Sequence, residues 1–283
     1  MTFRKFAVGA AALLALADPL PAQSVGNMLK DDFRNAGKDI LGVWGSPFNA
    51  DAKDWATFAG AMGLFGVTML ADDAVSDWAI RNDSAGNFNG IDALRRGGVL
   101  FTGKYVVPPV AAAYIAGIVF KNQDLRDFVM GCAASWLAQS PPRRQLAKVF
   151  GRARPDTTKN DPNTTIPRDP QIWEIGYQDR WEMRSFPGGH LANVMGCATF
   201  WSQRFNLGIA EPLLYGVAAT VGVGRMADDA HWFSDQVIGA ILGYAIGNEI
   251  ARRQLVRQNP GGTPAMNLSP GMNGPMLTLS WTF

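Results

Sequence analysis

Apolar residues recur at three- and four-residue steps through most of the chain, the period of a helix buried along one face. Residues 53–80, "KDWATFAGAMGLFGVTMLADDAVSDWAI", read as one long helix that Asp51 or Asn49 can cap, and the breaker "NDSAGNFNG" ends it. The same period predicts helices over 91–102, 104–120, 124–139 and 142–150, separated by Gly, Asn or the pair Pro141-Pro142. It returns over 189–206, 211–225 and 234–256, and the last of these, "SDQVIGAILGYAIGNEIARRQLV", has small residues at close-packing spacings. Residues 152–187 hold no sustained period and are rich in Pro, Asp, Asn and Thr, which marks a long functional-type loop or an insertion. The expected body is an all-α helical bundle.

The two ends break the helical pattern. In "MTFRKFAVGAAALLALADPLPAQS", Arg4 and Lys5 precede an apolar run from Phe6 to Ala17, and small or helix-breaking residues follow up to Ala22. That is the build of a secretory signal peptide; the alternative is an N-terminal membrane anchor. The tail "PMLTLSWTF" alternates Leu277, Leu279, Trp281 and Phe283 with Thr and Ser, a strand period. A single strand makes no barrel, so a tail packed on the bundle is expected. The chain thus divides into a signal segment over 1–23, a helical domain over 24–258 and a tail over 259–283. Export to the periplasm or cell envelope follows from the first of these.

Residues 106–120, 207–224 and 236–247 are the apolar stretches that could enter a membrane. They are short, or broken by Pro108, Pro109, Glu211 and Pro212, and mean hydropathy over the chain is only −0.02. A soluble or peripherally attached body is expected rather than a polytopic one. Twenty-six basic against 24 acidic residues leave a formal charge of +2 with no long run of either sign, so nucleic acid is not an expected partner. Cys132 and Cys197 each sit in "MGCA" within an apolar segment. Either a disulfide or two buried thiols fits that pattern.

Chemistry concentrates around the two histidines. In "VGVGRMADDAHWFSDQVIGA", Arg225 precedes His231, and Asp235 stands four residues beyond it, on the same helical face. Asp235 can then accept a hydrogen bond from one imidazole nitrogen and leave the other as a nucleophile. The alternative is a satisfied, capping histidine. His190 lies in "SFPGGHLANVMG", directly after Pro187, Gly188 and Gly189. Upstream, "AKVFGRARPD" gathers Lys148, Arg152 and Arg154 at a helix end, which is either an oxyanion site or a basic end stabilised by the helix dipole.

In order and spacing these segments resemble the type 2 phosphatidic acid phosphatase superfamily, which includes lipid phosphate phosphatases, bacterial class A acid phosphatases and vanadium haloperoxidases. Its pattern is Lys, six residues, Arg-Pro; then Pro-Ser-Gly-His; then Ser-Arg, five residues, His, three residues, Asp. The matches are Arg154-Pro155, Pro187-Gly189-His190 and Arg225-His231-Asp235, across roughly residues 125–250. The resemblance implies a helical phosphatase fold, His231 as the nucleophile, His190 as general acid, and Arg154 and Arg225 on the phosphoryl oxygens. It also implies a phosphohistidine intermediate, no metal or other cofactor, and a pocket that vanadate can occupy. Gly188 and Gly189 would let backbone N–H groups approach the phosphate at the start of a helix.

Three positions depart from the pattern. Ala147 holds the family's lysine position, and Gly188 and Gly224 stand where the family has serine. Either neighbours such as Arg152 or Lys148 make up the lost grip on the anion, or the site is altered. The activity implied is an exported, metal-independent phosphatase for phosphomonoesters or pyrophosphates of a small molecule or lipid. The alternatives are a soluble acid phosphatase, a vanadium haloperoxidase or a non-catalytic envelope protein.

Overall fold

The computed structural model describes residues 22–92, 107–159, 161–258, 269–271 and 274–276. Most of the expected signal segment, residues 93–102 of the helix expected over 91–102, residues 104–106 of the one expected over 104–120, and Leu277 to Phe283 of the expected tail strand lie outside them. The architecture is all-α: α1 (Ala22–Gly45), α2 (Ala52–Met69), α3 (Asp72–Ser84), α4 (Val107–Val119), α5 (Gln123–Phe150), α6 (Gly189–Phe205), α7 (Glu211–Ala227) and α8 (Phe233–Gln258). A hairpin of two three-residue strands, Ser269–Gly271 and Gly274–Met276, lies in the tail.

Two helix boundaries differ from the periodic reading. The helix expected over 53–80 is two helices, α2 and α3, bent by 63°. Asp51 opens α2 in a capping box with Asp54, accepting the Asp54 N–H at 2.9 Å while Asp54 accepts the Asp51 N–H at 3.0 Å. The break at Leu70 and Ala71 turns the chain so that Asp72, in the first turn of α3, is fully buried and accepts from the Ser234 N–H at 2.7 Å. A tertiary bond therefore overrides the continuous apolar pattern.

The second difference lies at Pro141 and Pro142, which sit inside one continuous helix, α5, rather than between two. Pro142 has no N–H to offer the Ala138 carbonyl one turn earlier. Trp44 of α1 supplies the missing donor, its Nε1–H bonding the Ala138 oxygen at 2.7 Å. Residues 22–45, to which periodicity assigned no element, form α1, and its Ala36, Ile40 and Val43 pack on the core of Ala134, Ala138, Phe200, Ile246 and Ile250.

The pair α6 and α8 forms the centre. Gly239, Gly243 and Gly247 repeat at four-residue steps on α8, and a Cβ on each would fall 2.3 Å from the carbonyl oxygens of Gly188, Ala192 and Gly196. Backbone thus meets backbone, and the start of α6 is fixed against the start of α8. A disulfide joins Cys132 of α5 to Cys197 of α6. Together with Gly189 lying against Arg143, and Ser140 Oγ 3.5 Å from Asn193 Oδ1, it makes α5 and α6 antiparallel neighbours. Among the described residues no single helix is long and apolar enough to cross a membrane; α2 and α3 reach that length only as a bent pair.

Candidate active site

The α5 helix ends at Gly151, which takes a left-handed φ of 50°, and the chain then runs inward. Arg152, the next residue, is fully buried and uses every N–H of its guanidinium. Nη1 donates to Asp235 Oδ1 at 2.7 Å and Ser234 Oγ at 2.8 Å, Nη2 to Asp72 Oδ2 at 2.5 Å and the Pro170 carbonyl at 2.9 Å, and Nε to Pro170 at 3.1 Å. A buried charge is tolerated when it is paired and fully bonded in this way. Arg152 therefore ties α3, the 152–187 loop and α8 together and has no donor left for an anion. The expectation that it replaces the family's lysine is corrected on that ground. Lys148 does not serve either: its ammonium is held at the surface, 2.6 Å from Asp179 and 2.9 Å from the Tyr177 hydroxyl.

Asp235 lies at the start of α8, where its Oδ2 accepts from Ser185 Oγ at 2.5 Å and from the Trp232 N–H at 3.0 Å. The direct bond expected between Asp235 and His231 is not formed. His231 Nδ1 lies 2.7 Å from the backbone carbonyl of Ser185 instead. A carbonyl oxygen only accepts, so Nδ1 carries the proton and Nε2 keeps its lone pair. The structure thus reaches the expected tautomer through Ser185, with Asp235 one residue removed.

Nε2 of His231 faces Arg154, whose Nη1 is 3.4 Å away. Three carbonyls hold that guanidinium in place: Trp181 on Nε at 2.9 Å, Ala230 on Nη1 at 2.6 Å and Arg184 on Nη2 at 2.9 Å. Arg225 reaches the same region from the end of α7, anchored to Asp228 at 2.8 Å. His190 is half-buried in the first turn of α6. The Gly189 and His190 N–H groups open that helix without intrahelical acceptors, the usual anion-binding end. The Gly188 N–H, expected to face a phosphate, instead donates to the Asp235 carbonyl at 2.8 Å. A serine there has no room, since its Cβ would lie 2.7 Å from the same oxygen. Gly224 is buried within α7.

Arg143 completes the cluster, and the sequence reading missed it. Its guanidinium carbon would lie 2.4 Å from a Cβ on Gly189, so the glycine makes room for it beside the α6 N-terminus. Its Nε is sealed from solvent and has no hydrogen-bond partner. Arg143 stands one helical turn before Ala147 on the same face of α5, so helical spacing back from the vacant lysine position would have found it.

Charge in this cluster is strongly one-sided. Burial, then Arg225, Arg143 and Arg154, pushes His190 down to about 4. Burial, Arg154, Arg225 and His190 hold His231 well below the ordinary value of 6.5. Desolvation and the neighbouring cations lower Arg154 to about 9, and burial with Arg144 lowers Arg143 to about 10. Three guanidiniums thus gather around two imidazoles and keep them neutral, with Asp228 bonded to Arg225. Such a site is complementary to a tetrahedral dianion, whose oxygens would meet paired N–H donors.

The sequence profile of the PAP2 superfamily matches residues 126–258. The lipid A 1-phosphatase of Porphyromonas gingivalis is 29% identical over 102 residues, a stretch that covers 35% of this chain and 17% of that protein. The matched stretch therefore spans less than a fifth of the relative's length. No solved structure matches the chain. The residues that match the PAP2 superfamily, 126–258, carry His190, His231, Asp235 and the three converging arginines.

Proposed function

We propose that the protein is an exported phosphatase that removes phosphate from a lipid phosphomonoester or pyrophosphate through a phosphohistidine intermediate. The observation that carries this reading is the bond of His231 Nδ1 to the Ser185 carbonyl, which leaves Nε2 unprotonated 3.4 Å from Arg154. The phosphoryl group sits between Arg143, Arg154, Arg225 and the N–H groups that begin α6. Nε2 attacks phosphorus as the bond to the leaving oxygen breaks, and protonated His190 gives its proton to that oxygen. The second step runs in reverse: neutral His190 takes a proton from water, the hydroxide attacks phosphorus, the P–N bond breaks and inorganic phosphate leaves.

His190 is neutral in the empty site, with a pKa of about 4. Burial and the neighbouring cations depress it, and a bound dianion offsets the cations and favours the charged ring, so substrate raises the pKa toward the acid form. Guanidinium groups supply the positive charge that the reaction requires, and no metal step enters the scheme.

The lipid preference takes its support from the name of the Porphyromonas gingivalis relative, and export from the N-terminal segment and the Cys132–Cys197 disulfide, which suits an oxidising compartment. Phosphate release from a lipid monophosphate and from an aryl phosphate, measured with EDTA present, tests the proposal. Turnover of both, faster on the lipid, is expected. Turnover of neither overturns it, and turnover of the aryl ester alone reduces the protein to a non-specific acid phosphatase.

A further inference from the structure

A polar cleft lies at the end of the bundle away from the anion pocket. It holds about 890 Å³ where the first turns of α5, the last turn of α6, the last turns of α8 and the middle of α1 meet. Asp127, Arg204 and Gln254 line it. They stand sixteen residues from Arg143 on α5, fourteen from His190 on α6 and nineteen from Asp235 on α8. At a helical rise of about 1.5 Å per residue, the two sites are about 20–28 Å apart along these helices. A small ligand in the cleft therefore touches none of the groups that face the phosphate.

Ligand sites of roughly 300–1,000 Å³ are usually walled by apolar side chains. Here Ala36 and Met130 alone among the lining residues are apolar, so an apolar occupant gains little. Free charge does not select the occupant either, because the ions are already paired across helices. Arg204 Nη2 donates to Asp124 at 2.8 Å and Asp127 at 2.9 Å, Arg126 Nε to Asp32 at 2.9 Å, and Arg257 Nη2 to Asp39 at 2.7 Å. Four carboxylates thus share three guanidiniums, and an ionic ligand would have to break one of these pairs.

The unsatisfied groups ask for a different chemistry. Gln254 is only 6% exposed, and its Oε1 has no hydrogen-bond partner among the described residues. The Nε of Arg204 has none either. One is an acceptor and the other a donor. A hydroxyl group both donates and accepts, so a ligand with several hydroxyls on a compact ring answers both, and it can bridge the carboxylates of Asp32 and Asp127 to the amides of Asn35 and Gln254.

We propose that this cleft is a saccharide-binding site, separate from the phosphatase centre, that takes a neutral oligosaccharide. A glycan held there leaves the anion pocket at the opposite end open to its own substrate.

Titration of the full chain with maltotriose, cellotriose and chitotriose, followed by calorimetry and ligand-observed NMR, tests the assignment. At least one should bind saturably with a Kd of about 1 mM or tighter, and excess vanadate should not displace it. Gln254→Leu removes the amide without leaving a buried polar atom unpaired, so thermal stability should hold. That substitution and Asn35→Ala, on a different helix, should each weaken the sugar roughly twofold to tenfold and leave hydrolysis of an aryl phosphate unchanged. Spermidine and inositol hexakisphosphate are the charged controls. Saturation by either of them and by no sugar overturns the assignment, as does binding of none of the three sugars, or sugar binding that survives both substitutions. Displacement by vanadate would put the sugar in the phosphatase centre and overturn it as well. A chain that binds a trisaccharide but hydrolyses no phosphate ester would lose the phosphatase reading and keep the saccharide site.

Discussion

The Nδ1–H of His231 donates to the backbone carbonyl of Ser185 at 2.7 Å, and the hydroxyl of the same Ser185 donates to Asp235 at 2.5 Å. One residue therefore orients the ring through its backbone and links it to the carboxylate through its side chain. Ser185→Ala keeps the carbonyl and the tautomer, so turnover should persist at a reduced rate. Asp235→Asn leaves Arg152 with one carboxylate partner instead of two, and the new amide NH2 cannot accept from Ser185 and Trp232 as Oδ2 does, so buried charge-assisted bonds worth about 1.5–3 kcal/mol are lost. Chemical denaturation should show that loss for Asp235→Asn, and kcat on an aryl phosphate should fall further for it than for Ser185→Ala.

Arg143, Arg152 and Lys148 should separate cleanly when each is changed to alanine. Losing Arg143 removes charge-assisted bonds worth about 1.5–3 kcal/mol, so inhibition by phosphate or vanadate should weaken roughly 10- to 100-fold with little change in Tm. Lys148→Ala should leave inhibition unchanged, because its ammonium serves Asp179 and Tyr177 at the surface. Arg152→Ala should chiefly destabilise the fold, since it strips Asp72 and Asp235 of their shared cation.

Gly188→Ser restores the family's residue but not its contact. The new Cβ would meet the Asp235 carbonyl at 2.7 Å, where α6 and α8 touch through backbone. Forcing atoms into such a contact costs about 1–3 kcal/mol. The variant should melt lower than the parent and bind vanadate no more tightly.

The histidines give stability a defined pH dependence. His190 falls to about 4 in the folded empty protein and His231 lies well below 6.5, so the unfolded chain binds protons that the folded chain rejects. Their contribution is fully present above pH 6.5 and is lost as pH drops through the window down to about 4 and, for His231, further. Bound phosphate should raise the His190 pKa and make the empty and occupied proteins differ most in this acidic window. NMR titration of the His190 ring with and without phosphate reads the shift directly; an unchanged pKa would remove His190 as the substrate-charged acid.

Much of this site was legible because its chemistry is written as local spacing. His190 after two glycines, and Arg225, His231 and Asp235 within one short segment, are fixed along a few turns of chain, and the structure brings them together. The compensating cation was missed for the opposite reason. Arg143 belongs to the site only because Gly189, far off in sequence, leaves room for its guanidinium. Arg152 looked like a ligand from its place in "GRARPD", yet its partners Asp72 and Asp235 come from distant helices. The fold shows the same division. Amphipathic periods located α6, α7 and α8 closely, whereas the continuity of α5 through two prolines depends on Trp44 bonding the Ala138 carbonyl across the bundle. The break between α2 and α3 likewise depends on where Asp72 must go.

The central claim is that His231 Nε2 carries the phosphoryl group. Incubation with a radiolabelled phosphate ester, stopped in alkali within the turnover time, should leave label on the protein, and peptide mapping should place it on His231. The label should be alkali-stable and acid-labile, and His231→Ala should show neither label nor turnover. Steady hydrolysis with no label at His231, or activity that survives His231→Ala, would contradict the account.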